Sequence, residues 1–167
     1  MTLDRLWAGW RSTYIEGVAN QAPASGAEGC LFERLAAADS TEGLVLARNP
    51  HAFAVMNAYP YTSGHLMVAP LRHVASLADL TREEGAAVMA LVQDATVALG
   101  AAYHPDGMNV GANLGRAAGA GVPDHVHVHV LPRWSGDTNF MTSVAETRVL
   151  PESLPAGFAR LRAVWPA

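Results

Sequence analysis

Apolar and polar positions along the chain change period several times, and each change marks an element. Branched and aromatic residues at 43–48 and 52–57, separated by Asn49-Pro50-His51, predict two strands joined by a turn. A turn-rich link, Tyr59-Pro60-Tyr61-Thr62-Ser63-Gly64, leads to a third strand at 65–70, which Pro70 ends by removing a backbone donor. From Thr81 the period lengthens. Thr81-Arg82-Glu83-Glu84 has the form of a capping box, and Val88, Leu91, Val92, Ala95, Leu99 and Ala102 recur at helical spacing. One long helix to about Tyr103, its apolar stripe packed on a sheet, is the prediction. Strand patterns return at 108–113 and 125–132. A short helix opens at Cys30-Leu31-Phe32-Glu33-Arg34-Leu35, residues 139–150 read as extended or irregular, and 151–165 reads as a terminal helix with proline at its start. These elements predict an α+β fold: an antiparallel sheet of about five strands, built from hairpins, with the long helix across one face and strand 125–132 beside 108–113.

Composition narrows the class. Half of the 167 residues are hydrophobic and 16% are charged, which excludes disorder. One domain over residues 1–167 is expected, with its core from about 6 to 154, large enough to bury about two-thirds of its unfolded surface. The aromatic positions Trp7, Trp10 and Tyr14 pack either on that core or at a subunit interface, and 18–29 reads as a loop. A net charge of −4 and a pI near 5.9 argue against a broad basic face, so no nucleic-acid partner is expected, although a local basic site could hold a nucleotide. The single cysteine, Cys30, cannot close an internal disulfide and favours a cytoplasmic setting. No signal peptide begins at Met1 and no apolar run approaches 18 residues, so no membrane partner is expected either.

The chemistry concentrates at His125-Val126-His127-Val128-His129-Val130. On a strand, successive side chains face opposite ways, so the three imidazoles share one face at intervals of roughly 7 Å. A solvated edge strand, a metal site and a covalent catalyst are the competing readings, and a metal centre would need further ligands from elsewhere. The preceding loop, Gly111-Ala112-Asn113-Leu114-Gly115-Arg116-Ala117-Ala118-Gly119-Ala120-Gly121, favours the third, because a glycine-rich backbone lets N–H groups approach an anion. Phosphate is the expected guest, with an imidazole nucleophile beside it.

The histidine run resembles the signature of the histidine triad (HIT) family, whose members hydrolyse or transfer nucleotidyl groups. Asn57-Ala58-Tyr59-Pro60-Tyr61-Thr62-Ser63-Gly64-His65-Leu66-Met67-Val68 resembles the family's substrate-side strand, and Pro132-Arg133-Trp134-Ser135-Gly136-Asp137 resembles a bacterial branch that includes diadenosine tetraphosphate phosphorylases. The resemblance implies a HIT-like fold, a homodimer, and attack by His127 on the α-phosphorus of a nucleotide such as diadenosine tetraphosphate, through a nucleotidyl-histidine intermediate. By the same resemblance His125 orients His127 and assists the leaving group, and His129 donates to a non-bridging oxygen. Asn113 and the backbone of Gly119, Ala120 and Gly121 cradle phosphates. Asn57 holds a ribose hydroxyl, His65 sits beside the triad, and Phe32, Leu35 and Met56 form a slot for the base. The chemistry requires no cofactor. A structural zinc is implied at Cys30, Glu33, His73 and His125, where many members carry Cys-x-x-Cys; Glu33 replaces the second cysteine, and a lone buried thiol is the rival reading. Two other functions stay open: a nucleotide-binding interaction module without turnover, and an adenosine phosphoramidate or adenylyl hydrolase of the same family.

Overall fold

The computed structural model describes residues 29–137 and 151–166; the expectations for 6–28 and 139–150 lie outside them. Five strands, β1 (Val45–Arg48), β2 (Ala52–Met56), β3 (Leu66–Pro70), β4 (Gly107–Gly111) and β5 (Val128–Arg133), form one antiparallel sheet in the order β1-β2-β3-β5-β4. The strand that carries the histidines thus lies between β3 and β4, next to 108–113 as the pattern predicts. Helix α1 spans Leu31–Ala37, α2 Arg82–Tyr103 and α3 Leu154–Val164.

Alternation along β2 divides the interior into two cores. Ala52, Ala54 and Met56 face α2 and α3, joining Leu66, Val68, Val128, Val130, Val88, Leu91, Val92, Ala95, Leu99 and Leu161. Phe53 and Val55 face the other way, with Phe32, Val45, Met67 and Ala69 beneath α1. The stripe predicted for the long helix is the buried one, except that Ala98 is buried where Ala102 is only partly so. Each large side chain buried here contributes on the order of 1.5–3 kcal/mol. α2 is long and apolar enough to cross a membrane by length and composition alone, and its apolar stripe is covered by the sheet.

Caps define the helix starts. Thr81 Oγ1 accepts from the Glu84 N–H at 3.1 Å while Glu84 Oε2 accepts from the Thr81 N–H at 2.8 Å, the predicted capping box. Helix α3 starts at Leu154, so the proline in its first turn is Pro155 and not Pro151. Gly64, at φ +76°, turns the chain into β3; a Cβ there would meet the Tyr103 ring at 2.8 Å and Leu99 at 2.9 Å. The following residue, His65, is therefore placed by backbone that only glycine fits.

Candidate active site

Strand β5 begins at Val128, three residues later than the alternation predicts. Its ladder with β3 ends at Val68 opposite Val128, β3 itself ends in donorless Pro70, and the Val126 N–H turns instead to the Val74 carbonyl at 2.7 Å. The shared face survives this. Phe32 lies 5.2 Å from the His125 ring and 4.8 Å from the His127 ring, and the His127 and His129 rings are 4.9 Å apart.

The hydrogen bonds dictate which nitrogen of each ring carries a proton. His125 donates from Nε2 to the Pro70 carbonyl at 2.9 Å, leaving the Nδ1 lone pair 3.3 Å from Cys30 Sγ. His127 donates from Nδ1 to the carbonyl of His125 at 2.9 Å, so its Nε2 holds a free lone pair. At His65 the Tyr61 backbone N–H donates to Nδ1 at 3.1 Å, which forces the proton onto Nε2. That Nε2 lies 2.9 Å from Nδ1 of His129 and donates to it, so His129 must carry its own proton on Nε2. A backbone amide therefore sets two tautomers in succession. The row offers a nucleophilic nitrogen at 127 and a hydrogen-bond donor at 129. Burial lowers the pKa of all three rings, that of His129 to about 4 with help from the charge of a protonated His127. Exposure rises along the row, from 0% at His125 to 4% at His127 and 8% at His129.

Some expected site residues are brought elsewhere. The backbone carbonyl of His125 holds Nδ1 of His127, whereas both nitrogens of the His125 ring, expected to orient His127 and assist the leaving group, are engaged with Pro70 and Cys30. Phe32 and Leu35 pack together, whereas Met56 lies on the opposite sheet face under α3 and forms no slot with them. The Gly119 N–H donates to the Arg116 carbonyl and the Ala120 N–H to the Gly115 carbonyl, closing a turn, which leaves Gly121 as the backbone donor of the three that is outside these bonds. Asn113 braces that turn, donating to the Gly119 carbonyl at 3.4 Å. Pairing of Gly111 with His129 sets the start of the loop beside the histidines. Asn57 accepts from the Tyr59 N–H at 2.9 Å and points Nδ2 at His65, so most of its amide is spent on the turn; one oxygen lone pair is left for a hydroxyl. His51 is exposed on its turn.

Two participants were not foreseen. The Pro70 carbonyl orients His125. Tyr61 both fixes His65 and lays its ring 4.6 Å from His65 and 5.9 Å from His129. An aromatic residue four positions before a histidine in a turn was the available signal for the second.

A family model for the HIT domain matches residues 39–136. The chain belongs to the HIT family. This HIT chain is 44% identical over 154 residues to the AP-4-A phosphorylase of Mycobacterium tuberculosis, covering 91% of itself and 79% of that protein. It is 30% identical over 127 residues to the adenosine 5'-monophosphoramidase hnt1 of Schizosaccharomyces pombe, covering 76% and 91%. Among solved structures, a Zn-bound histidine triad family protein from Mycobacterium smegmatis superposes with a TM-score of 0.66 at 27% identity, over 83% of this chain and 94% of that one.

The HIT chain also gathers metal-binding atoms. One ligand atom each from Cys30, His73 and His125 lie within 4.8 Å of one another. This donor set fits zinc, which takes sulfur and imidazole nitrogen, and the Nε2–H bond of His125 to Pro70 is the kind of outer contact that orients a ligating imidazole. Glu33 stands apart from that trio. Its Oε2 accepts from the Cys30 N–H at 3.0 Å, capping α1, and lies 3.4 Å from His73 Nδ1. The replacement for a second cysteine is thus at the rim of the cluster with a helix-capping duty of its own.

Proposed function

We propose that the chain is a nucleotidyl-transferring enzyme that cleaves dinucleoside polyphosphates at the α-phosphate, with inorganic phosphate as acceptor. The observation that carries this reading is the tautomer arrangement: a lone pair on His127 Nε2, held by the His125 carbonyl, next to a proton on His129 Nε2. His127 Nε2 attacks the α-phosphorus, a P–N bond forms, and the bond to the bridging oxygen breaks as the nucleoside polyphosphate leaves. His129 donates to a non-bridging oxygen whose charge must be held as this happens. Inorganic phosphate then attacks the nucleotidyl-imidazole, frees His127 and releases a nucleoside diphosphate. The base is received on the partly buried Leu35 side of α1, with Phe32 buried behind it against His127, and the Gly121 N–H faces the phosphates. The choice of phosphate as acceptor, and of adenosine as base, is supported by the 44% identical AP-4-A phosphorylase.

Cys30, His73 and His125 are suited to a structural zinc, with Glu33 as the fourth ligand from its place beside His73. Such an ion would supply a cross-link between α1, the segment after β3 and the histidine row. A cytoplasmic setting is supported by the single cysteine. A homodimer is supported by the edge strand β4, where Val110 is exposed, and sedimentation or light scattering reads it directly.

Incubation with diadenosine tetraphosphate tests the reaction. ADP and ATP are expected only when inorganic phosphate is present; AMP and ATP without it would make the enzyme a hydrolase. His127→Gln should reduce turnover by roughly a thousandfold or more while nucleotide affinity is kept. Turnover retained in that variant would remove His127 as the nucleophile, and binding without turnover in the unaltered chain would make it a nucleotide-binding module.

A further inference from the structure

Helix α2 ends at Tyr103, whose side chain stands between the turn that carries His65 and the C-terminal helix. Its ring packs on Gly64: a Cβ there would lie 2.8 Å from one ring carbon and 3.3 Å from the next. Its hydroxyl donates to Glu152 Oε2 at 2.6 Å beside Gly157 of α3, where a Cβ would lie 3.2 Å from the hydroxyl oxygen. Two backbones therefore close on one phenol. Arg160 completes the hold, donating from Nε to Glu152 Oε1 at 2.9 Å while its guanidinium sits 5.3 Å from the centre of the Tyr103 ring. Burial and the bond to Glu152 push the Tyr103 phenol above its ordinary pKa range, so it stays a donor. The same turn faces α3 across a cleft, with Pro60, Ser63 and Gly64 opposite Glu152, Ser153 and Gly157. Ser63 Oγ is buried there and has no hydrogen-bond partner among the described residues, so the connection from turn to helix runs through the Tyr103 ring.

We propose that Tyr103, anchored by Glu152, is a positioning residue for the pair His65 and His129, so that the segment at 152–160 takes part in the reaction although it lies beyond the matched HIT domain at 39–136. The catalytic consequence rests on the nucleotidyl-transfer reading of the site; the placement of His65 does not. Gly64 immediately precedes His65, and the Asn57 N–H closes the turn on the His65 carbonyl at 3.0 Å. His65 Nδ1 must stay within reach of the Tyr61 N–H, 3.1 Å away, for the His65 proton to sit on Nε2 and for His129 to be a donor in turn. A ring that backs Gly64 keeps the turn from shifting. A shift of about 1 Å is enough to break such a hydrogen bond, and misplacement of that size can cost an enzyme about a hundredfold in rate.

Variants separate the ring from its anchor. Tyr103→Leu removes the ring and should lower kcat on diadenosine tetraphosphate with inorganic phosphate about tenfold, while KM changes less than about twofold. Tyr103→Phe and Glu152→Ala remove the same hydrogen bond, so each should lower kcat about threefold and the two together no more than either alone, the mark of a shared interaction. Glu152→Gln still offers an oxygen to the phenol and should recover most of the loss. Imidazole nitrogen NMR gives a readout apart from activity. The His129 signals, identified by their absence in His129→Asn, should show Nε2 protonated in the original chain and a mixture with protonated Nδ1 in Tyr103→Leu. Unchanged kcat and an unchanged His129 tautomer in folded Tyr103→Leu would overturn the proposal and leave Tyr103 a packing residue whose loss lowers only the melting temperature. Additive losses in Tyr103→Phe and Glu152→Ala would overturn it as well. If Tyr103→Leu does not fold, the two milder variants carry the same test. If the original chain cleaves no dinucleotide, the reading of the reaction fails by itself, and the tautomer of His129 in the variants decides the positioning role.

Discussion

At the scale of single residues, the site depends on protons being on particular nitrogens. His65 transmits the constraint from the Tyr61 N–H to His129, and His65→Leu removes it. In that variant His129 Nδ1 loses its donor and the ring is free to take the opposite tautomer, so kcat is expected to fall by about a hundredfold with KM nearly constant, the pattern for a donor used only at the transition state. A loss confined to KM would show that His65 only shapes the binding surface. The same burial has a pH signature. At pH above 6.5 the His129 imidazole is neutral in both folded and unfolded chains. Between 6.5 and about 4 the unfolded chain binds a proton that the folded ring refuses, so the stability present above 6.5 declines as pH falls through that window and this contribution is gone below it. Urea midpoints measured from pH 7.5 to 4 should show the decline, and His129→Asn should make it shallower, with His125 and His127, whose pKa values burial also lowers, supplying the rest. Imidazoles in alternation are legible in a sequence because the residue type itself carries the chemistry. The carbonyls of His125 and Pro70 and the N–H of Tyr61 carry as much of the arrangement, and every residue has such groups.

At the scale of elements, the clearest test concerns the start of α2. Glu84 is buried, accepts two bonds of 2.7 Å from Arg72 and one of 2.8 Å from the Thr81 N–H, and joins the end of β3 to the long helix. The Arg72 bonds hold its pKa at about 2. Glu84→Gln keeps a capping oxygen and discards the ion pair, so it is expected to lower the melting temperature at pH 7. The difference from the original chain should shrink as pH falls from 4.5 toward 2, where the carboxyl protonates in both states. A difference unchanged at pH 2.5 would mean the glutamine disrupts packing and not charge. The capping box at 81–84 was readable because its spacing is local. The register of β5 was not, since its start depends on Pro70, 58 positions before Val128. Met56 was assigned to the wrong face for a related reason: all five residues of β2 are apolar and buried, so no polar side identifies which core each one faces.

At the scale of the whole molecule, the fold holds two covers on one sheet, and the smaller is tied to the chemistry. α2 and α3 cover one face with the larger core, while α1 covers the histidine face through Phe32 and meets His73 and His125 at Cys30. His125 stands at the junction: its ring belongs to the proposed zinc cluster, and its carbonyl holds Nδ1 of His127. Loss of the ion should therefore be felt in two places. Because zinc binding to a site that only the folded chain assembles adds directly to folding free energy, chelation is expected to lower the melting temperature. Because His125 would lose one of the contacts that fixes it, kcat should fall several-fold while KM stays close to its original value, the nucleotide-contacting groups being untouched. Metal analysis of the purified chain should give about one zinc per chain, in keeping with the cluster of Cys30, His73 and His125 found among the described residues. Cys30→Ser should reproduce both effects of chelation, and Glu33→Gln should show whether the fourth ligand matters, since it keeps an oxygen to cap α1 but gives up the charge. A metal content near zero, or a Cys30→Ser chain with unchanged melting temperature and kcat, would leave Cys30 a half-buried thiol against an imidazole and detach the first helix from the reaction.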